Sequence, residues 1–157
     1  FYATSERLAC DARDLLDVGD DDICLEPSAG TGALATMLPR ARTTCVEISG
    51  QRCEVLRARG FQADQADFIE WAATARANPK RYTRVLMNPP FSDGRALAHL
   101  REAATLVASG GRLVAILPAS MRGKELLDGW EGEWSGAYAN EFSGTDVCVA
   151  IYTAQRP

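Results

Sequence analysis

Asn88-Pro89-Pro90-Phe91 follows directly on the apolar run Val85-Leu86-Met87, and its residue types suit one demanding kind of chemistry. An amine nitrogen on a heteroaromatic ring or a carbonyl is not basic, because its lone pair is delocalised. To attack a carbon electrophile such as a methyl group, that nitrogen must be drawn toward tetrahedral geometry. Two hydrogen-bond acceptors aimed at its N–H groups do this, and the Asn88 side-chain oxygen and the Pro89 backbone carbonyl are two such acceptors. Consecutive prolines stiffen the turn, since each has a fixed φ and no N–H to satisfy. Phe91 offers a flat face for a planar substrate. The same four residues would also serve as a plain strand-to-loop stop, because proline cannot continue a central strand. The rest of the chain has to decide between these readings.

A second motif lies upstream. Asp22-Ile23-Cys24-Leu25-Glu26 reads as a short buried strand, followed by Pro27-Ser28-Ala29-Gly30-Thr31-Gly32-Ala33-Leu34-Ala35 and a helical run. Gly30-x-Gly32-x-x-Ala35 fits the glycine-rich nucleotide-binding turn in its strand–turn–helix context. Glycines let the backbone approach a ligand closely, and a helix N-terminus offers N–H groups to a negative group. Alone, this turn would equally suit a dinucleotide site. The acidic residue expected about 20 positions on is Glu47, at the end of Thr43-Thr44-Cys45-Val46, where a carboxylate can hold ribose hydroxyls.

Together these residues resemble the class I S-adenosylmethionine-dependent methyltransferases, and among them the amino-methyltransferases, especially those that methylate adenine N6 in DNA. Phe1-Tyr2-Ala3-Thr4-Ser5 is similar to the family's opening segment, which closes over the methionine end of the cofactor; Ser5 stands where the family usually has proline. Ala66-Asp67-Phe68 is similar to the segment that holds the cofactor adenine, although Asp64 also lies near that strand end. Gly110 to Pro118 resembles the fifth strand and its lead-in. The resemblance implies S-adenosyl-L-methionine as cofactor, held by Thr4, Glu26, Pro27, Ser28, Ala29, Gly30, Gly32, Glu47, Ile48, Asp67, Phe68 and Asn88. It implies Asn88, Pro89, Pro90 and Phe91 as the catalytic loop, with no metal.

The elements that must position these residues follow from periodicity. Strands are expected near 23–26, 43–47, 61–64, 84–88, 112–117, 137–142 and 146–153. Helices are expected near 5–17, 32–39, 50–59, 67–77 and 94–108, with a short one near 122–129. Apolar residues at 97, 100, 103, 104 and 107 give the fifth helix one buried face, and Gly110-Gly111 is expected to stop it. Alternating strands and helices argue for a mostly parallel, seven-stranded α/β sheet covered on both faces. The resemblance adds a Rossmann-like class I methyltransferase topology and a C-terminal antiparallel hairpin. Ligands of such sheets sit beyond the carboxyl ends of the strands, where Glu26, Glu47, Asp67 and Asn88 all fall.

The length of 157 residues suits a single domain, 1–157, with a proper core and leaves no room for a separate target-recognition domain. The chain opens at Phe1 rather than Met, as a trimmed or excised segment would. No apolar run approaches the ~18–20 residues that span a bilayer, and no signal-peptide pattern opens the chain. Five cysteines, odd in number and without a C-x-x-C pair, argue against a zinc site, and Cys24, Cys45 and Cys148, in apolar strand-like runs, suit buried thiols in a reducing cytoplasm. Seventeen basic and 21 acidic residues leave a net charge of −4, where a phosphate-gripping surface usually shows a basic patch. Arg95, Arg122 and Lys124 are candidates for phosphate contacts near the active-site mouth. Arg76, Lys80, Arg81 and Arg84 should face the opposite edge.

Bland readings stand beside the functional ones. Glu47 would serve as a solvated strand-end carboxylate, Asp67 as a helix N-cap, and Phe68 as a core residue. The single histidine, His99, reads as structural, and the three tryptophans as packing. The reading that emerges is methyl transfer to adenine N6 of DNA, with nucleic acid as partner, DNA ahead of RNA, and either weak intrinsic sequence choice or target choice supplied by a partner chain or further domain. The alternatives are adenine-N6 or guanine-N2 methylation of RNA, glutamine-amide methylation of a protein, and a non-catalytic module of the same fold that binds or acts as a decoy.

Overall fold

A computed structural model describes residues 3–142 and 145–157. The Phe1-Tyr2 start of the expected opening segment lies outside them, as do Ser143 and Gly144. Seven strands form one sheet: β1 (Cys24–Glu26), β2 (Thr43–Glu47), β3 (Gln62–Gln65), β4 (Tyr82–Met87), β5 (Val107–Pro118), β6 (Glu131–Tyr138) and β7 (Val149–Gln155). Their order is β3-β2-β1-β4-β5-β7-β6. The first five pair in parallel, and β7 pairs antiparallel with both β5 and β6. This is the mostly parallel sheet with an antiparallel C-terminal pair that the sequence leads one to expect.

Side chains of one strand alternate between faces, and the cores follow that alternation. Val85 and Met87 of β4, with Leu113, Ala115 and Leu117 of β5, pack on one face. Leu86, Val114 and Ile116 pack on the other. Helix α1 (Glu6–Leu16) covers this second face through Leu8, Ala9, Ala12 and Leu16. Helix α2 (Gly50–Ala58) packs Cys53 and Leu56 beside Cys45. Helices α3 (Phe68–Ala75) and α4 (Arg95–Ala104) cover the first face. Each of the first three helices starts on a side-chain cap: Ser5 accepts from the Leu8 N–H, Ser49 from Arg52 and Asp67 from Glu70. Such caps each contribute about 1 kcal/mol.

The chain runs outward from β1 to β2 and β3, then crosses back to lay β4 on the other side of β1. That reversal opens a crevice between the carboxyl ends of β1 and β4, the place where open α/β sheets bind ligands. Glu26 ends β1 and Asn88 follows β4, so the topology puts both motifs on that crevice.

Four local expectations are corrected. The helix expected at 32–39 is a single 3-10 turn, Ala35–Met37, because Gly30 and Gly32 take positive φ before it and Leu38, which precedes Pro39, is extended. The fifth helix ends at Ala104, and Gly110-Gly111 does not stop it. Those glycines lie inside β5, where Tyr82 pairs with Val107 but Arg84 with Arg112, so the extra residues bulge out. A Cβ on Gly111 would lie 2.7 Å from Val107 Cγ1 and 2.8 Å from the Ala108 carbonyl, which is why glycine stands there. The helix expected at 122–129 is absent: a 3-10 turn spans Ala119–Met121, and Gly123 and Gly129 take positive φ. The hairpin's first strand is Glu131–Tyr138 rather than 137–142. Its Gly/Glu-rich composition hid a strand that pairing with β7 imposes.

Candidate active site

A cavity of about 470 Å³ opens at the carboxyl ends of the strands. Its lining includes Thr4 before α1, Glu26 through Ala29 after β1, Glu47 and Ile48 after β2, Asp67 and Phe68 at the start of α3, and Asn88 through Phe91 after β4. These are all the residues singled out from the sequence except Gly30 and Gly32. The two glycines instead shape the loop. Gly30 takes φ +56° and donates its N–H to Glu47 Oε1 at 3.0 Å; Gly32 takes φ +103°. No helix N-terminus points at a ligand from this loop, contrary to the expectation drawn from its glycine pattern, since only a 3-10 turn follows it.

Glu47 is the hub of one wall. Its other oxygen accepts from the Ser49 N–H at 2.7 Å and lies 3.2 Å from Arg52 Nε. The carboxylate is therefore fixed in place while lining the cavity. Asp67 caps α3 and lines the cavity at once, so its two readings coexist. Asp64 is occupied elsewhere: it accepts from the Trp71 indole at 2.9 Å, and it does not line the cavity.

Glu26 is 1% exposed and accepts only a long bond, 3.2 Å, from the Ser28 N–H. Burial, with the neighbouring Glu47 charge, pushes its carboxyl up to about 8. A buried acid on a cavity wall, with no salt-bridge partner among the described residues, is suited to a positively charged ligand group, whose charge would favour the ionised form. The amine and sulfonium of S-adenosylmethionine are such groups. Apolar Val46, Ile48, Ala66 and Phe68 meanwhile line the same cavity and suit a flat purine.

The chain matches the model of the methyltransferase small domain over residues 12–139. It belongs to that family. The family's enzymes use S-adenosylmethionine, and the donor set above fits that cofactor. No curated protein matches the chain. Solved structures with the same fold include TrmN from Thermus thermophilus, at 20% identity and a TM-score of 0.73, covering 97% of this chain and 49% of that one. The precorrin-6y C5,15-methyltransferase of Geobacter metallireducens is 18% identical, with a TM-score of 0.69, covering 96% and 88%. A protein described as a modification subunit of a type I restriction enzyme from Vibrio vulnificus is 14% identical, with a TM-score of 0.78, covering 99% and 44%. This methyltransferase domain thus spans about half the length of TrmN.

Sequence reasoning missed several of the domain's cavity residues. His99 lines the cavity, packs its ring tilted by 40° against Phe68 at 5.5 Å and lies 3.5 Å from Ser28 Oγ through Nδ1. Burial, then the Arg95 charge, holds its pKa below the ordinary value. Arg95, one turn earlier and expected from the sequence near the active-site mouth, lines the cavity too, whereas Arg122, expected there as well, is tied to the Ser135 carbonyl at 2.9 Å. The i, i+4 spacing of Arg95 and His99 after the Asn88-Pro89-Pro90-Phe91 turn was the available signal. Phe142, Thr145 and Val147, from the β6–β7 connection, also contribute, and no local pattern in the sequence marks them.

Proposed function

We propose that this chain transfers a methyl group from S-adenosylmethionine to the exocyclic N6 of adenine in DNA. One observation carries the reading: the Asn88-Pro89-Pro90-Phe91 turn and the acids Glu26, Glu47 and Asp67 share one cavity. S-adenosylmethionine supplies an electrophilic methyl group on a sulfonium. Glu26 balances positive charge, Glu47 accepts from ribose hydroxyls, and Asp67 with Phe68 receives the adenine of the cofactor. Asn88 Oδ1 and the Pro89 carbonyl accept from the target amine and hold its lone pair in line with the methyl group. Phe91, half-buried at the cavity, stacks the target base, which must leave the duplex to reach this depth. The site contributes orientation, which alone is worth several kcal/mol of barrier. His99 is not needed as a base, because the proton released after transfer goes to water.

The net charge of −4 is low for a protein that grips DNA alone, so target choice comes from a partner chain or a further domain. A cytoplasmic setting fits the five free cysteines.

The test is nucleoside mass spectrometry after incubating the chain with S-adenosylmethionine and unmethylated duplex DNA, single-stranded DNA or RNA, beside an Asn88→Ala control. N6-methyldeoxyadenosine that disappears in the control is the expected result. Methylated ribonucleosides would move the substrate to RNA. No methylated nucleoside in any pool would refute activity of the chain alone on nucleic acid.

A further inference from the structure

The Asn88 amide presents an acceptor oxygen on one side and a donor NH2 on the other. Its Nδ2 donates to Thr4 Oγ1 at 3.0 Å, a bond that joins residues 84 positions apart. Among the described residues no protein donor is assigned to Oδ1. Because the amide is planar, fixing Nδ2 on Thr4 directs Oδ1 to the other side. Turned over by 180°, the amide would offer N–H groups to a substrate amine, donor against donor, and the acceptor would be lost.

Thr4 is itself anchored. Ser5, next in the chain, caps α1 by accepting from the Leu8 N–H, and its hydroxyl donates to Glu141 Oε2 at 2.5 Å. Glu141 lies after β6 and also pairs with Arg7 at 3.5 Å. The start of α1 and the connection after β6 therefore hold Thr4 against the catalytic turn. Serine in place of a proline before α1 makes this anchoring available, since proline has neither hydroxyl.

We propose that Thr4 is a positioning residue that sets the orientation of the Asn88 amide, so that Oδ1 is presented to the substrate nitrogen. This rests on the reading of Asn88 as the group that orients the target amine. Thr4 thereby acts on the catalytic step, beyond any contact with the cofactor.

Selective 15N labelling of asparagine tests it. The chain has three asparagines, Asn78, Asn88 and Asn140, and the Asn88 side-chain signals are those lost in Asn88→Ala. In Thr4→Val, which keeps size and removes the hydroxyl, the Asn88 Nδ2 protons should shift and exchange faster with water, while Thr4→Ser restores them. Turnover should separate likewise. With Thr4→Val, kcat falls about tenfold to a hundredfold, the scale of a misplaced reacting group, a larger effect than any change in KM for S-adenosylmethionine, and Thr4→Ser recovers it. Unchanged Asn88 signals in Thr4→Val would overturn the proposal. A raised KM at constant kcat would also overturn it, assigning Thr4 to the cofactor alone. If the wild-type chain methylates no nucleic acid, the amide spectrum still decides the point, so failure of the functional reading and failure of this inference are told apart.

Discussion

At the scale of single residues, Glu26 connects the site to pH. Its carboxyl ordinarily titrates near 4.5 and is pushed up to about 8 in the folded chain. The folded state therefore keeps a proton that the unfolded state releases, and stability falls as pH rises from about 4.5 through 8. Glu26→Gln removes that loss. The variant should be more stable than the parent at pH 8 by up to a few kcal/mol, with the gap closing toward pH 5; thermal unfolding across this range measures it. The same variant should bind S-adenosylmethionine more weakly, because the counter-charge is gone. A constant difference in melting temperature across the range would mean that Glu26 ionises normally.

At the scale of elements, the cofactor loop depends on α2. Gly32 takes φ +103°, and a Cβ there would lie 3.2 Å from Leu56 Cδ2. Leu56 is fully buried with Cys45 and Cys53 and cannot retreat easily. Gly32→Ala forces both a strained backbone and a crowded contact, so it should cost about 1–3 kcal/mol. A lower denaturation midpoint with an unchanged m-value would show this, and weaker cofactor binding should accompany it, since Gly30 in the same loop orients Glu47. Helix α4 has a comparable role on the other side. Its buried face, Ala96, His99, Leu100, Ala103 and Ala104, packs against the sheet and α3 and carries Arg95 and His99 to the cavity.

At the scale of the whole molecule, charge and topology pull in different directions. The sheet gathers the site at one edge, while the net charge of −4 opposes a polyanion. Several cations are tied to the protein itself: Arg84 faces Asp22, Arg76 pairs with Glu102, and Arg81 donates to backbone carbonyls. Arg95 is exposed at the cavity; on the proposed function it is a cation placed for a phosphate beside the target base. Arg95→Ala should weaken nucleic-acid binding to all sequences alike. It should also reduce the slope of log K against log salt by about 0.7–0.9, the value for one phosphate contact. Titrations at several salt concentrations measure the slope, and an unchanged slope would place the phosphates elsewhere.

The sequence by itself determined the alternation of strands and helices, the parallel order that follows from it, and the residues at the strand ends. Those rest on local periodicity and on short motifs whose parts are close in the chain. It also sufficed to place Glu26, Glu47, Asp67 and Asn88 on one edge, because strand ends of a parallel sheet share a side. Asp67 and Asp64 both lie near the third strand end; in the fold Asp67 lines the cavity, while Asp64 accepts from the Trp71 indole. Only the tertiary structure decided that Glu131–Tyr138 is a strand, since a Gly/Glu-rich segment takes its conformation from pairing with β7 rather than from propensity. Only it brought Phe142, Thr145 and Val147 to the cavity and Thr4 to Asn88. Contacts between residues so far apart depend on how packed elements meet in space, and no local pattern encodes them.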